Sequence, residues 1–422
     1  MTGSKKPKKH RRPFFEVLGP GLVTGAADDD PSGIGTYSQV GAQFGYSLCW
    51  TMFFGFPLLA SIQTICAHIG ATTGCGIARN LRKHYPRPLL QTVVLLLLVA
   101  NVINLGADLG AMAEALDLLI PGPFLLYSFL FGAVSVLLEI FLSYRRYAGI
   151  LKWSTLSLFA YVGAVFFAGV PIGEALRGTF VPEFTFDKPH AMALVAVFGT
   201  TISPYLFFWQ AGQEVEEQHR RHFKPLLVSP RRSGREFARI RTDTLVGMGF
   251  SHLVALFIMV ATAATLHAHG VSDIESAAQA AQALRPIAGD LAFALFALGI
   301  IGTGMLAVPV LAGSAAYAVS ETFGWVEGLD RKPREARAFY AVIALAALGG
   351  FGLNLLAIDP MKALYWTAVV NGLLAPPLMV VTMLIARNPK VMGGLPVSRG
   401  LAIGGWISTL VMTVVAAVFL LV

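Results

Sequence analysis

Charge is scarce in this chain. Of its 422 residues only 13% are Asp, Glu, Lys or Arg, against roughly 25% in a typical soluble domain. A water-soluble globule of this length could not cover its surface with so few ionised groups, so a cytosolic enzyme, a disordered protein and a secreted scaffold are all excluded. Cysteine is scarcer still, with Cys49, Cys66 and Cys75 the only three. That is too few, and too close to apolar runs, for a disulfide framework or a structural zinc site. The three are expected to be buried as small apolar residues. Sequence signatures of catalysis are missing too. There is no HExxH zinc motif, no GxSxG nucleophile elbow and no phosphate-binding loop that would harness ATP.

What fills the space is hydrophobic: 55% of residues, gathered into long runs. About 20 apolar residues span a bilayer, and eleven stretches meet that length: 15–43, 46–70, 89–117, 122–142, 149–171, 190–212, 243–268, 289–318, 337–357, 362–386 and 400–422. The expectation is an all-α polytopic membrane protein. Orientation follows from the basic residues. The N-terminal stretch and the connections after spans two, four, six, eight and ten carry nearly all of the 32 Lys and Arg. The opposite connections hold only Arg177, Lys188, Arg285 and Lys362, and Lys152 sits at the inner end of span five. The bias predicts N-in, C-out, with residues 1–14 a retained basic tail at anionic headgroups. The net charge of +8 is thereby assigned to the membrane surface and not to nucleic acid.

Two spans look broken. Asp28-Asp29-Asp30-Pro31-Ser32-Gly33 interrupts the first, and Gly199-Thr200-Thr201-Ile202-Ser203-Pro204-Tyr205 the sixth. Proline removes a backbone donor and clashes with the preceding turn. Unwound backbone at this depth survives only inside protein or beside a polar cavity. Matching interruptions five spans apart point to an inverted-repeat transporter with its substrate at the breaks. The plain alternative, two proline-kinked structural helices, does not explain three adjacent carboxylates. Asp28, Asp29 and Asp30 cannot share one face, so one is expected to meet the substrate while the others face a wet vestibule. Carboxylate plus freed carbonyls are hard oxygen ligands for a cation.

Other polar residues lie in the spans. Gln210, Glu214 and Glu217 continue from the second break as a stripe toward the cytoplasm, either an inward path or the start of a solvated loop. Asn101, Asn104 and Asp108 share a face of span three, with Asp108 able to relay protons, attract cations or anchor a helix. Asn371 is either a ligand or a helix–helix hydrogen bond, His252 a structural histidine, and Tyr205 a cap on the cavity.

These residues resemble a known family. GPGLVTGAADDDPSGIGTYSQVGAQFGYSLCW is similar to the first span of the Nramp divalent-metal transporters, GADLGAMAEAL to their third, VFGTTISPYLFF to their sixth and QALRPIAGDLAFALFALGIIGTGM to their eighth. The resemblance implies a LeuT-type fold with two repeats of five spans, 15–171 and 190–386, and an additional span at 400–422. It implies that Asp30 is the metal-binding aspartate, that the Thr200 carbonyl contacts the ion and that Asp108 is the aspartate of the proton route. The departures share one direction. Gly33 stands where the family has a metal-binding asparagine, Ser203 replaces the metal-binding methionine, Tyr205 the histidine, and Ala111 the third-span glutamate. Loss of a thioether removes the preference for transition metals, and a glycine is expected to enlarge the cavity for an ion that keeps its water, as Mg²⁺ does. The pattern resembles the Nramp-related magnesium transporter branch.

The resulting expectation is a secondary transporter and not an enzyme. It imports Mg²⁺, and Mn²⁺ with it, without proton coupling, at a bacterial inner membrane. Asp30, Gly33, Thr200 and Ser203 form the metal site, Asp28, Asp29, Tyr205 and Asn371 contact a hydrated ion or the vestibule, and Asp108, Gln210, Glu214 and Glu217 line a path. No resident cofactor, nucleic acid or obligatory protein partner is expected beside the ion and the lipid. The rivals are a proton-coupled Mn²⁺/Fe²⁺ symporter, an organic-solute symporter of the same fold, and an intramembrane enzyme or receptor scaffold.

Overall fold

The computed structural model describes residues 19–142, 158–185, 187–356 and 358–422. The basic stretch 1–14, Lys152 and the first half of the expected span 149–171 lie outside the described residues. Fifteen helices carry the architecture: α1 (Pro20–Asp28), α2 (Pro31–Phe44), α3 (Trp50–Thr73), α4 (Ile77–His84), α5 (Arg87–Asp117), α6 (Phe124–Phe141), α7 (Phe159–Phe167), α8 (Ile172–Phe180), α9 (Lys188–Thr201), α10 (Pro204–Arg220), α11 (Ser233–Thr265), α12 (Ala292–Phe323), α13 (Arg337–Asn354), α14 (Pro360–Arg387) and α15 (Arg399–Leu421). A few shorter turns join them, and no strand occurs among the described residues.

Nine helical segments among the described residues are long and apolar enough to cross a membrane. They correspond to the expected spans two to four and six to eleven. Span one is present as the pair α1 and α2, of nine and 14 residues, each too short to cross alone. Of span five, α7 is described. Two edges differ from expectation. The helix of span seven starts at Ser233, ten residues before the apolar run, and α10 runs on to Arg220. Ion pairs between the two extensions hold turns that hydropathy cannot detect. The amphipathic helices α4 and α8 were likewise invisible to a search for long apolar runs.

The apolar surface is turned outward on the peripheral helices. Phe141 on α6, Leu345 on α13 and Ile403 and Leu410 on α15 are each more than half exposed. In water such a surface would be an aggregation site; against lipid tails it has no cost. The interior is formed by α5 and α12, which pack along each other with α13 and α14 alongside α5. Asn101 Nδ2 donates to the Leu311 carbonyl across this contact at 2.9 Å. The cysteines are free and buried.

Candidate cation site at two helix breaks

The two breaks have the same local cause. Asp30 is extended (φ −70°, ψ 171°) and precedes Pro31; Ser203 is extended (φ −71°, ψ 130°) and precedes Pro204. A proline disfavours the α conformation in the residue before it but is preorganised for the first turn of a helix. Each X–Pro step therefore ends one helix and starts the next. Asp30 is also the N-cap of α2, its Oδ1 accepting from Gly33 N at 2.7 Å.

The structure brings the breaks together. Tyr205 Oη donates to Asp30 Oδ2 (3.1 Å) or to the Ala27 carbonyl (3.2 Å), so the first residues of α10 touch both sides of the first break. Ser203 Oγ donates to the carbonyls of Thr200 (2.7 Å) and Gly199 (2.9 Å), and Ser314 of α12 donates to the Tyr205 carbonyl at 2.9 Å. The Ala27 carbonyl near the end of α1 and the carboxylate of Asp30 thus share the Tyr205 hydroxyl, while the last carbonyls of α9 are met by Ser203. Helix C-termini carry partial negative charge, and broken helices use such ends to hold cations. All these groups are buried: Asp30, Ser203 and Tyr205 are 1% exposed and Thr200 2%. The site is closed to both sides in this conformation.

Asp28 and Asp29 do not join Asp30 around one point. Both turn to α11, where Ser251 Oγ donates to Asp28 Oδ2 (2.7 Å) or Asp29 Oδ1 (3.2 Å). One oxygen of each acid has no protein partner. Among the described residues no three His, Cys, Asp or Glu side chains converge as a metal cluster. They are not in a wet vestibule here, being at most 1% exposed.

Gly33 also differs from expectation. A side chain there was expected to be replaced by open space. A Cβ on Gly33 would instead lie 3.2 Å from the Asp28 carbonyl and 3.3 Å from the Tyr37 ring. The room that glycine leaves is occupied by tyrosine, so the site is not enlarged in the closed state. Asp108 is buried within electrostatic reach of Asp30, and neither of its oxygens has a hydrogen-bond partner. Asn104, on the same face of α5 as Asp108, lies beside Asp30. Asn371 is buried on α14, next to Gly372, whose backbone packs on Gly199; its Nδ2 is unpartnered. His252 Nδ1 is 3.1 Å from the Met248 carbonyl, within its own helix.

The polar stripe on α10 divides. Gln210 Oε1 accepts from Thr24 of α1 at 2.5 Å, and Glu214 pairs with Arg239 of α11 at 2.5 Å. Glu217 turns to Arg220 (2.9 Å) and Arg221 (2.5 Å) at the end of the helix. Glu214 is fully buried and Glu216 nearly so, which excludes a solvated loop at that point. Glu216 accepts from Tyr317 and from Leu329 N beside a cavity of about 320 Å³ that also meets Arg79, His219, Glu321 and Glu327.

Three features escaped the sequence reading. Ser251 is an ordinary hydroxyl in an apolar helix and carried no signal. Asp243 stood at the edge of an expected span and was passed over. Glu139, buried on α6 without a partner for either oxygen, did carry one, as a carboxylate inside an apolar run.

Comparison with known proteins decides the family. The model of the Natural resistance-associated macrophage protein-like (Nramp) family matches residues 21–422. The chain belongs to the Nramp family. It is 26% identical to a divalent metal cation transporter MntH of Klebsiella pneumoniae (strain 342), over 96% of this chain and 95% of that one. It is 25% identical to the MntH of Deinococcus radiodurans, over 96% and 89%. Its fold matches the crystal structure of the Eremococcus coleocola manganese transporter bound to an aromatic bis-isothiourea compound (TM-score 0.75, 16% identity, 98% of this chain and 88% of that one). It also matches closed Mhp1, a nucleobase-cation-symport-1 family transporter with bromovinylhydantoin bound (TM-score 0.61, 17% identity, 96% and 91%). The fold of this Nramp chain is therefore LeuT-like.

Proposed function

We propose that this protein carries divalent metal cations across a membrane, importing Mg²⁺, and Mn²⁺ with it, without moving protons. The observation that carries this reading is the junction of the two breaks. At the first break Asp30 meets the Tyr205 hydroxyl, at the second the Thr200 and Tyr205 carbonyls meet the hydroxyls of Ser203 and Ser314, and none of those contacts is made by a thioether or an imidazole. Oxygen alone suits hard ions such as Mg²⁺ and Mn²⁺, whereas sulfur favours softer ones. The names of the MntH relatives and of the E. coleocola transporter support divalent cargo. On this reading Asp30, the Thr200 carbonyl and Ser203 hold the ion, with Gly33 at its edge. Asp28, Asp29, Tyr205 and Asn371 meet its water, and Gln210 and Glu214 lie on the way out.

The same reading takes the chain as eleven spans, N-in and C-out, in two repeats (15–171 and 190–386) with an added span at 400–422, in a bacterial inner membrane. A potential of 100 mV then supplies about 2.3 kcal/mol per charge, or about 4.6 kcal/mol for a divalent ion. That favours uptake with no second gradient.

Uptake into proteoliposomes tests the reading, with Mg²⁺ compared to Mn²⁺, a pH-sensitive dye in the same vesicles and Asp30→Ala as control. Mg²⁺ entry without acidification, abolished in the control, is the expected result. A second reading, a proton-coupled Mn²⁺/Fe²⁺ symporter, is favoured by one observation: Asp108 is a buried acid within electrostatic reach of Asp30. Mn²⁺ entry with acidification and no Mg²⁺ signal would establish it.

A further inference from the structure

The start of α1 is capped by another helix. Its own N-cap, Gly19, has no side chain to offer, and the first amides of a helix need acceptors. Asp243 of α11 supplies them across 221 or more residues of sequence. Its Oδ1 accepts from Gly19 N (2.8 Å) and Leu22 N (3.1 Å), and its Oδ2 from Gly21 N (2.8 Å). Arg239, one turn earlier on α11, lies 3.8 Å from Asp243 and bonds Glu214 of α10 at 2.5 Å. Thr24 of α1 donates to Gln210, one turn earlier on α10. Side-chain bonds thus tie α1, α10 and α11 together below the closed breaks.

One face of α11 follows α1 along its whole length. Asp243, Gly247 and Ser251 recur every four residues, so they line one side of a helix. Asp243 serves the start of α1. Gly247 lies against its middle, where Gly21 and Gly25 leave no room for a Cβ. Ser251 meets Asp28 and Asp29 at its end. The glycine crossing permits close approach but buries little apolar surface, so the specific hold comes from the polar contacts at the two ends. Of the two partners α1 is the shorter. It has nine residues and ends at a break, whereas α11 is continuous over 33.

We propose that Asp243 is the positioning residue of the gate on this face of the protein: its carboxylate, capping α1 from α11, latches α1 over the cation site, and release of the latch opens the site to that side. The proposal deepens the transport reading above and rests on it for the cytoplasmic assignment of this face.

The test uses the full chain in sealed vesicles, with Thr24→Cys as a buried thiol reporter on α1 and a membrane-impermeant maleimide added from one side or the other. The native cysteines are buried, and the parent without the reporter measures their background. Adding Asp243→Ala is expected to raise the labelling rate about tenfold, the loss of a charged acceptor shared by three amides. Asp243→Asn, which keeps one accepting oxygen, is expected to fall between, and it decides the matter alone if Asp243→Ala is not monodisperse. A rise from either side supports the latch, and the side on which it appears tests the orientation separately. Labelling that stays at the rate of Thr24→Cys alone from both sides, in protein that elutes as a single species, overturns it. Mn²⁺ and Mg²⁺ uptake in the same vesicles reports on the transport reading independently.

Discussion

Gly25→Ala is expected to pry α1 away from α11, and the size of the effect can be worked from the contact. A Cβ on Gly25 would lie 2.3 Å from both the carbonyl carbon and the carbonyl oxygen of Gly247. Ordinary contact between such atoms is about 3.5 Å. Both neighbours are backbone inside a continuous helix, so the methyl is accommodated only if α1 retreats by roughly 1 Å. The amide–carboxylate bonds from Asp243, now 2.8, 2.8 and 3.1 Å, would then stretch beyond hydrogen-bonding range. Overpacking of this kind costs about 1–3 kcal/mol, and each bond to a charged acceptor contributes about 1.5–3 kcal/mol. Even with water recovering part of the second term, a net loss of at least about 2 kcal/mol follows.

Thermal unfolding of the intact chain in detergent measures this directly. The control is Gly234→Ala, in the first turn of α11, where a Cβ would meet nothing within 4 Å. That change is expected to leave stability unchanged or raise it by up to about 1 kcal/mol, because alanine loses less backbone freedom than glycine. If Gly25→Ala melts with Gly234→Ala, the crossing is not the tight contact described and the reasoning is wrong.

Three further outcomes are expected. Ser203→Met puts a thioether at the second break and should shift competition between Mn²⁺ and Mg²⁺ toward Mn²⁺, read from uptake with both ions present; an unchanged ratio would remove Ser203 from the site. Ser251→Ala leaves Asp28 and Asp29 without their only side-chain donor among the described residues and should lower stability by about 1–3 kcal/mol, seen as a lower melting temperature. Glu327 lies in the connection after α12, and burial, reinforced by the neighbouring Glu321, pushes its carboxyl from 4.5 up to about 8 despite the Arg79 pair. The folded state therefore holds that proton more tightly than the unfolded chain, so stability should fall as pH rises between about 4.5 and 8. Glu327→Gln should flatten the slope, and a slope that persists would locate the titration elsewhere.

Much of this molecule could be read in one dimension, and the rest has a common reason for being hidden. Membrane spans are legible because hydrocarbon demands about 20 apolar residues in succession, a local property. The breaks are legible for the same reason, since Asp30-Pro31 and Ser203-Pro204 forbid a continuous helix through steric effects between adjacent residues. Those facts left open which of Asp28, Asp29 and Asp30 meets the substrate; Asp30 was singled out only by the family resemblance. Spacing along a helix is also local, yet the stripe Gln210, Glu214, Glu217 shows its limit. Periodicity put three side chains on one side of α10, while the neighbours α1 and α11 claimed the first two and an ion pair turned the third back on its own helix.

Tertiary structure alone decided what depends on distant partners. Tyr37 fills the space beside Gly33, Ser251 divides Asp28 and Asp29 from Asp30, and Asp243 supplies the cap that Gly19 lacks. In each case the determining contact is made by a residue with no distinctive type or spacing, on a helix whose approach is set by packing. By itself the sequence determined that the chain crosses a membrane, where it must break and that carboxylates stand at the first break. Which polar groups close around those carboxylates followed only from how the helices meet, because in a buried site each polar group takes the nearest partner that the packing presents.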